Sequence, residues 1–281
     1  MLSAEDIRKL EALRPHLLGQ SAHAVQQAVR STSAIKDPAL AIWADDRHAC
    51  FYAPFDWVNE RADIVLIGIT PGLRQAEDGL LAMQKSLKAG DRIEQAAETA
   101  KLAASFNGEM REIGALLMDY FGLQRIFGLK STAELFGSAA GRVHYTSVLR
   151  YPVLEWDRKN NKWKNYGGDN KITKRPEMKS MIDRYLIPEL RSLSNAWLVP
   201  FGPTPASVLD LLVQRGEIDG GRILAGLNHP SGTHWNRHNC QLDRVDHRNC
   251  APNVGCDTIQ ERSRALRAKV AELEAAGAGL T

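Results

Sequence analysis

Two short loops hold the residues best suited to bind or transform a ligand. Gly68-Ile69-Thr70-Pro71-Gly72 and Asn228-His229-Pro230-Ser231-Gly232 each set glycine and proline around a polar side chain. Proline fixes the backbone and glycine leaves room, so a ligand can approach the main chain closely. A third feature is electrostatic. Between Arg142 and Arg184 eleven Lys/Arg face five Asp/Glu, a local +6 in a chain whose net charge is +3. Tyr151, Trp156, Trp163 and Tyr166 interleave with these cations, among them Lys162, Lys164 and Lys171. Cations for phosphates and flat rings for bases are what a nucleic-acid groove requires; a solvated basic loop is the alternative.

A fourth feature is the crowding of Cys240, Cys250 and Cys256 with His234, His238 and His247. Such density raises a zinc site. No two of these cysteines have the two-to-four-residue spacing of a zinc ribbon, and Cys50 is far away, so free thiols and no metal are expected.

The loops need strands to carry them. Asp63–Ile69 is a continuous apolar, β-branched run of the kind found in a buried parallel strand. Further strands are expected at Val143–Leu149, Ala196–Phe201 and Arg222–Leu227. Helical patterns fill the intervals: residues 4 to 30 as one or two helices, and 74 to 123 broken near Gly90 and Asn107-Gly108. They continue from Pro176 to Leu193, from Pro205 to Arg215 and from Thr258 to Ala276. The stretch Cys50–Val58 reads as extended, and 151–175 as a basic, glycine-containing loop. Strands alternating with helices imply an α/β fold, a mostly parallel four-stranded sheet with helices on both faces. In such sheets ligands bind outside the carboxyl ends of the strands, where both motif loops fall.

Composition is ordinary for a globular chain: 281 residues, 44% hydrophobic and 25% charged. This excludes a disordered chain and a disulfide miniprotein. No apolar run reaches the roughly 18 residues a membrane helix needs. The N-terminal stretch is charged and amphipathic rather than a signal sequence, so a cytoplasmic address is expected. Residues 1–60 read as a helical N-terminal extension packed on a single α/β domain over 61–281.

In order along the chain, these motifs resemble the uracil-DNA glycosylase superfamily. Gly68-Ile69-Thr70-Pro71-Gly72-Leu73 is similar to its first motif, nearest the GINPG form of the mismatch-specific branch. His229-Pro230-Ser231-Gly232 is similar to its second. Between them, Ser105-Phe106-Asn107-Gly108 resembles the segment that supplies a stacking ring. His144-Tyr145-Thr146-Ser147 resembles the base-reading strand, and Trp197–Ala206 the strand-glycine-helix unit before the last motif.

The resemblance implies a three-layer αβα fold, DNA as partner, no cofactor and a monofunctional hydrolase of N-glycosidic bonds, expected as a monomer. The target nucleotide would be flipped out of the duplex. Phe106 would stack on its base, with Gly68, Ile69, Pro71, Ser147 and Asn228 around it. His229 would stabilise negative charge on the departing base. Thr70 would hold the attacking water. Pro230, Ser231 and Gly232 would grip phosphate, with Thr233 at the wedge position and Trp235 and Arg237 close behind.

Two positions break the family pattern. The water-positioning residue, usually Asp or Asn, is Thr70, a poor general base; Asp78 or Glu77 could assist. The base-reading residue, usually Asn, is Ser147, whose one short hydroxyl discriminates less than an amide. A base other than plain uracil is therefore expected, in repair or in defence against modified invading DNA. No lysine sits in the motif loops, so no Schiff-base lyase step is expected. Thr70 as an ordinary turn residue, Phe106 and Ser147 as core, and a nucleic-acid-binding protein without hydrolysis are the alternatives.

Overall fold

The computed structural model describes residues 1–277. Helices α1 (Ala4–Gly19) and α2 (Ala22–Arg30) precede strands β1 (Ala41–Ala44) and β2 (His48–Phe51). Strand β3 (Ile64–Gly68) leads to α3 (Leu73–Lys88), α4 (Ile93–Ala104), α5 (Glu109–Tyr120) and α6 (Leu123–Ile126). Strand β4 (Val143–Ser147) is followed by β5 (Val153–Asp157) and β6 (Lys162–Asn165). Next come α7 (Pro176–Met181), a π-turn at Ile182–Leu186 and α8 (Ile187–Ser192). Strand β7 (Trp197–Pro200), α9 (Pro203–Gln214), α10 (Trp235–Gln241) and α11 (Cys256–Ala275) complete the order. Among the described residues no helix is long and apolar enough to cross a membrane.

The protein is mixed α/β. One sheet has the order β4-β3-β7, with β3 and β7 parallel and Ile64 opposite Trp197 through Ile67 opposite Pro200. Every residue of β3 and β7 is buried, as continuous apolar strands of a covered parallel sheet require. The expected fourth strand at 222–227 is not one. Leu198 and Ile223 form a single parallel bridge, and the chain then leaves the extended conformation. The reason is Gly226, at φ +140°: a Cβ there would lie 2.8 Å from both the Arg262 carbonyl oxygen and Leu266 Cβ on α11. Helix α11 thus sits where side chains of a continuing strand would project.

A second sheet, β1-β2-β5-β6, is antiparallel throughout. It was not expected. Residues 1–60, read as a helical extension, contribute two of its strands. Residues 151–175, read as a loop, contribute the other two as a hairpin, with Trp156 opposite Trp163 and their rings edge to face at 5.3 Å. Such cross-strand aromatic pairs stabilise a hairpin.

By compactness the described chain divides into two units. The first comprises Met1–Glu60, Ile69–Ser105 and Tyr145–Glu189. In it α3 packs on α4, and Leu80 and Met83 of the first and Ala97 and Ala100 of the second are buried. Gln84 Nε2 caps the end of α1 by donating to the Leu17 and Gln20 carbonyl oxygens. The second comprises Arg61–Gly68, Phe106–His144 and the chain from Leu190. It holds β3, β7, α5, α9, α10 and α11, with Leu66, Val199, Leu209 and Leu266 among its buried residues.

Candidate functional site

In the first unit the loop after β3 is held by its own polar groups. Thr70 Oγ1 donates to the Tyr151 carbonyl oxygen at 2.9 Å and accepts from Val153 N–H at 3.0 Å. The hydroxyl is therefore a staple between this loop and the start of β5, with one lone pair left for water. The Ile69 carbonyl accepts from Leu149 N–H at 2.9 Å, and Pro71 is buried. The loop opens α3, whose first amides are capped by side chains: Gly72 N–H by Gln75 Oε1 and Leu73 N–H by Asn165 Oδ1 of β6.

Neither carboxylate just past this motif is free of other duties. Glu77 is turned to α2, where Arg30 Nε and Nη2 and Gln26 Nε2 donate to it within 2.8 Å. The Arg30 hydrogen bonds hold its carboxyl below the usual range against a smaller burial effect. Asp78 lies 3.9 Å from Arg74 Nε one turn back on α3. Ser147 ends β4, half-buried.

The hairpin of the same unit presents the basic residues. Lys162 and Lys164 are exposed and, being two apart on β6, project from one face. Lys164 Nζ lies 4.0 Å from Glu155 across the ladder, and Glu155 also accepts from Arg47. Lys171 is exposed, in a loop braced by the Arg175–Asp169 ion pair at 2.7 Å.

In the second unit the carboxyl end of β7 gathers the other candidates. Phe106 is buried and edge-on to Phe201, ring centres 5.4 Å apart. Its backbone is left-handed, φ +50°, a conformation costing an L-residue about 1–2 kcal/mol. Gly202, at φ +98°, lies against His229: a Cβ on it would be 3.3 Å from His229 Cβ. Phe106 and His229 thus flank the same strand end, at Phe201 and Gly202.

The loop bearing His229 is braced from behind. Asn228 is buried, and all its polar groups but the carbonyl are bound: its N–H to Gln241 Oε1 at 2.7 Å, its Nδ2 to the Arg237 carbonyl at 3.0 Å. Its Oδ1 accepts from Arg262 at 3.1 Å. Asn228 is an anchor for its neighbour, with its amide already occupied. His238 Nε2 bonds the Ser231 carbonyl at 2.9 Å, and Ser231 Oγ meets Thr233 Oγ1 at 2.9 Å. Pro230 is buried, whereas Thr233, Trp235 and Arg237 are exposed on one short stretch.

His229 itself makes no side-chain hydrogen bond among the described residues. Burial, with smaller repulsion from His234 and His238, lowers its pKa from 6.5 to about 4. It is thus a neutral imidazole at pH 7, and its ring N–H is not committed elsewhere.

One carboxylate went unnoticed in the sequence. Glu109, in the first turn of α5, packs on Gly232; a Cβ at 232 would fall 2.0 Å from Glu109 Oε2. Its position two residues beyond Phe106-Asn107 is the signal that could have found it. The cysteines also gather in three dimensions: Cys240, Cys250, Cys256 and His247 bring their ligand atoms within 4.8 Å of one another. His234 and His238 are not in this group.

No family model matches the chain, and no solved structure does. The uncharacterized protein YoxB of Bacillus subtilis (strain 168) is 30% identical over 221 residues, which are 78% of this chain and 84% of that protein. At that identity and coverage, this chain belongs to the same family as YoxB.

Proposed function

We propose that this protein is a DNA glycosylase of the uracil-DNA glycosylase superfamily, with that family's αβα fold, which hydrolyses the N-glycosidic bond of a flipped base. The observation that carries the proposal is His229. A neutral imidazole with an uncommitted N–H, on a loop braced by Asn228, Gln241, Arg262 and His238, suits a charge that appears only as the bond breaks. As the bond between sugar and base lengthens, the electron pair moves onto the base. The His229 N–H donates a hydrogen bond to that growing anion, an interaction stronger in the transition state than in the ground state. Water adds hydroxide to the sugar carbon, its proton balances the departing base, and an abasic site remains.

Phe106 supports the same reading. A bulky residue held in a left-handed conformation is a strain worth maintaining when its ring is needed at one place, here the strand end that His229 also flanks. Thr70 contributes differently from the family pattern: with its hydroxyl committed to Tyr151 and Val153, stabilisation of the leaving base is the main source of rate. The exposed lysines of the hairpin meet phosphate.

The test is cleavage at abasic sites in duplexes and single strands carrying uracil, hypoxanthine or modified cytosines; the range is broad because position 147 is a serine. Alkali-labile ends are expected with at least one base. His229→Ala lowers kcat about 100- to 1,000-fold, the usual effect of removing one such donor, with an unchanged fold by circular dichroism. Tight DNA binding without release of any base would establish instead a nucleic-acid-binding protein that lacks hydrolysis.

A further inference from the structure

We propose that Cys240, His247, Cys250 and Cys256 form a closed tetrahedral site for a structural zinc ion. Their ligand atoms lie within 4.8 Å of one another. His247 Nδ1 is 3.3 Å from Cys256 Sγ and 3.8 Å from Cys240 Sγ, and those two sulfurs are 2.7 Å apart. Zinc bonds of about 2.3 Å to sulfur and 2.0–2.1 Å to nitrogen place tetrahedral ligand atoms roughly 3.3–3.8 Å from each other. The two distances from His247 fall in that range, whereas the Cys240 and Cys256 sulfurs, at 2.7 Å, stand closer than two zinc ligands do and separate by about 1 Å when an ion enters between them.

Convergence is not the sole observation. His247 Nε2 is 2.8 Å from Asp243 Oδ1. That contact places the ring proton on Nε2 and turns the Nδ1 lone pair toward the three sulfurs, as a carboxylate-oriented histidine ligand requires. Asp243 is itself held, by Arg267 at 2.6 Å and by Tyr120. Gln260 Nε2 donates to the Cys240 carbonyl at 2.8 Å and reaches the Cys240 sulfur at 3.9 Å. A ring of outer partners thus fixes two of the four ligands.

The donor set selects the ion. Three thiolates and one imidazole suit zinc over calcium or magnesium, which take oxygen ligands. Four protein ligands leave no open position, so the site is structural rather than catalytic. Its place in the fold gives it work. Between α10 and α11 the chain makes two short 3₁₀ turns, His247–Asn249 and Pro252–Val254, and Val254 is the one buried residue from 243 to 255. Apolar packing there is limited to Val254 and Ile259 with the cysteines themselves; a metal bridging Cys240, near the end of α10, to Cys256, at the start of α11, adds the missing hold. Those two helices carry Gln241 and Arg262, which grip Asn228 beside His229. The ion is then the fixed point behind the histidine loop.

The proposal does not depend on glycosylase activity, and its test does not use it. Elemental analysis of the untagged full-length protein, purified without chelator, is expected to give one zinc per chain. Exchange into Co²⁺ is expected to show the ligand-field bands and thiolate charge transfer of a tetrahedral sulfur-rich site. Cys250→Ser and Cys256→Ser should each lose the metal, and Cys50→Ser should keep it. Chelation at elevated temperature should open residues 242–255 to protease. Less than a tenth of an equivalent of zinc with no thiolate-to-cobalt band overturns the proposal. So does a Cys240–Cys256 disulfide found by alkylation and mass spectrometry of the unreduced protein. Because the cobalt spectrum is read on the unsubstituted chain, a variant that fails to fold does not obscure the outcome.

Discussion

His229 is where the chemistry of a single residue can be read most directly. In the unfolded chain its imidazole takes a proton near the ordinary 6.5, but in the folded chain only near about 4, because burial disfavours the cation. Between those values the unfolded state binds more protons, so this residue weakens the fold as pH falls through that window. The catalytic consequence is distinct. If the neutral ring is the active form, kcat/KM plotted against pH shows no loss through 6.5 and holds down to about pH 5 as far as this group is concerned. A loss of kcat/KM as the pH rises through 6.5 that vanishes in His229→Gln would mean that the ring works charged, against the mechanism proposed. Thr70 shows the limit of reading one residue at a time. Its place in a glycine- and proline-framed loop marks it as special, but the groups that occupy its hydroxyl, on Tyr151 and Val153, are some eighty positions further along.

At the scale of elements, the hairpin β5–β6 changes what the basic stretch means. Charge counting finds +6 and four interleaved aromatic residues and reads a loop, because lysines and asparagines have little strand propensity. Pairing with β2 and the Trp156–Trp163 contact turn it into a two-stranded surface. Lysines on a paired backbone meet phosphate with less of the chain left to order than lysines on a loop. Replacing Lys162, Lys164 and Lys171 together by alanine is expected to reduce the slope of log K against log salt for DNA binding by about 1–3, at roughly 0.9 per phosphate contact. Lys162 and Lys171, which have no carboxylate within ion-pair distance among the described residues, account for most of it; Lys164 is shared with Glu155. A slope equal to that of the unsubstituted protein would show that the hairpin does not touch the backbone of DNA.

At the scale of the whole molecule, each unit has its own core, and the first contains buried charge. Asp56 is 1% exposed and accepts from Lys9 Nζ at 2.6 Å, Tyr52 Oη at 2.6 Å and Tyr151 Oη. Arg150 pairs with Glu189 at 2.7 Å, and the fully buried Lys101 donates to the Phe55 carbonyl. These groups come from α1, the segment after β2, α4, the segment after β4, and α8, so five stretches of chain meet in one ionic cluster. Burial opposes the Asp56 charge, but Lys9 and Arg150 outweigh it and hold the carboxyl below its usual range. Its contribution is thus full above pH ~4 and lost as the pH falls further. Asp56→Ala leaves two buried tyrosine hydroxyls without their carboxylate acceptor and Lys9 with only Asp6 and the Tyr151 hydroxyl, and is expected to cost about 3–5 kcal/mol in urea unfolding. A change under ~1 kcal/mol would show that water enters and takes the place of the carboxylate.

What the amino-acid sequence determined by itself is local. The helices of 4–30, 73–120 and 256–275, the apolar strands β3 and β7, and the two glycine-proline loops follow from periodicity, branching and backbone restriction within about a dozen residues. Which distant residues meet is settled by long-range packing. The antiparallel sheet needs residues 41–51 to find 153–165. The lost fourth strand follows from α11 pressing on Gly226. The gathering of Cys240, His247, Cys250 and Cys256 follows from the packing of α10 on α11; His247 and Cys250 are three positions apart, but no two cysteines have a short ligand spacing that announces it. The neutral state of His229 belongs to the same group, because desolvation is a property of everything around a side chain and of nothing in the residue alone.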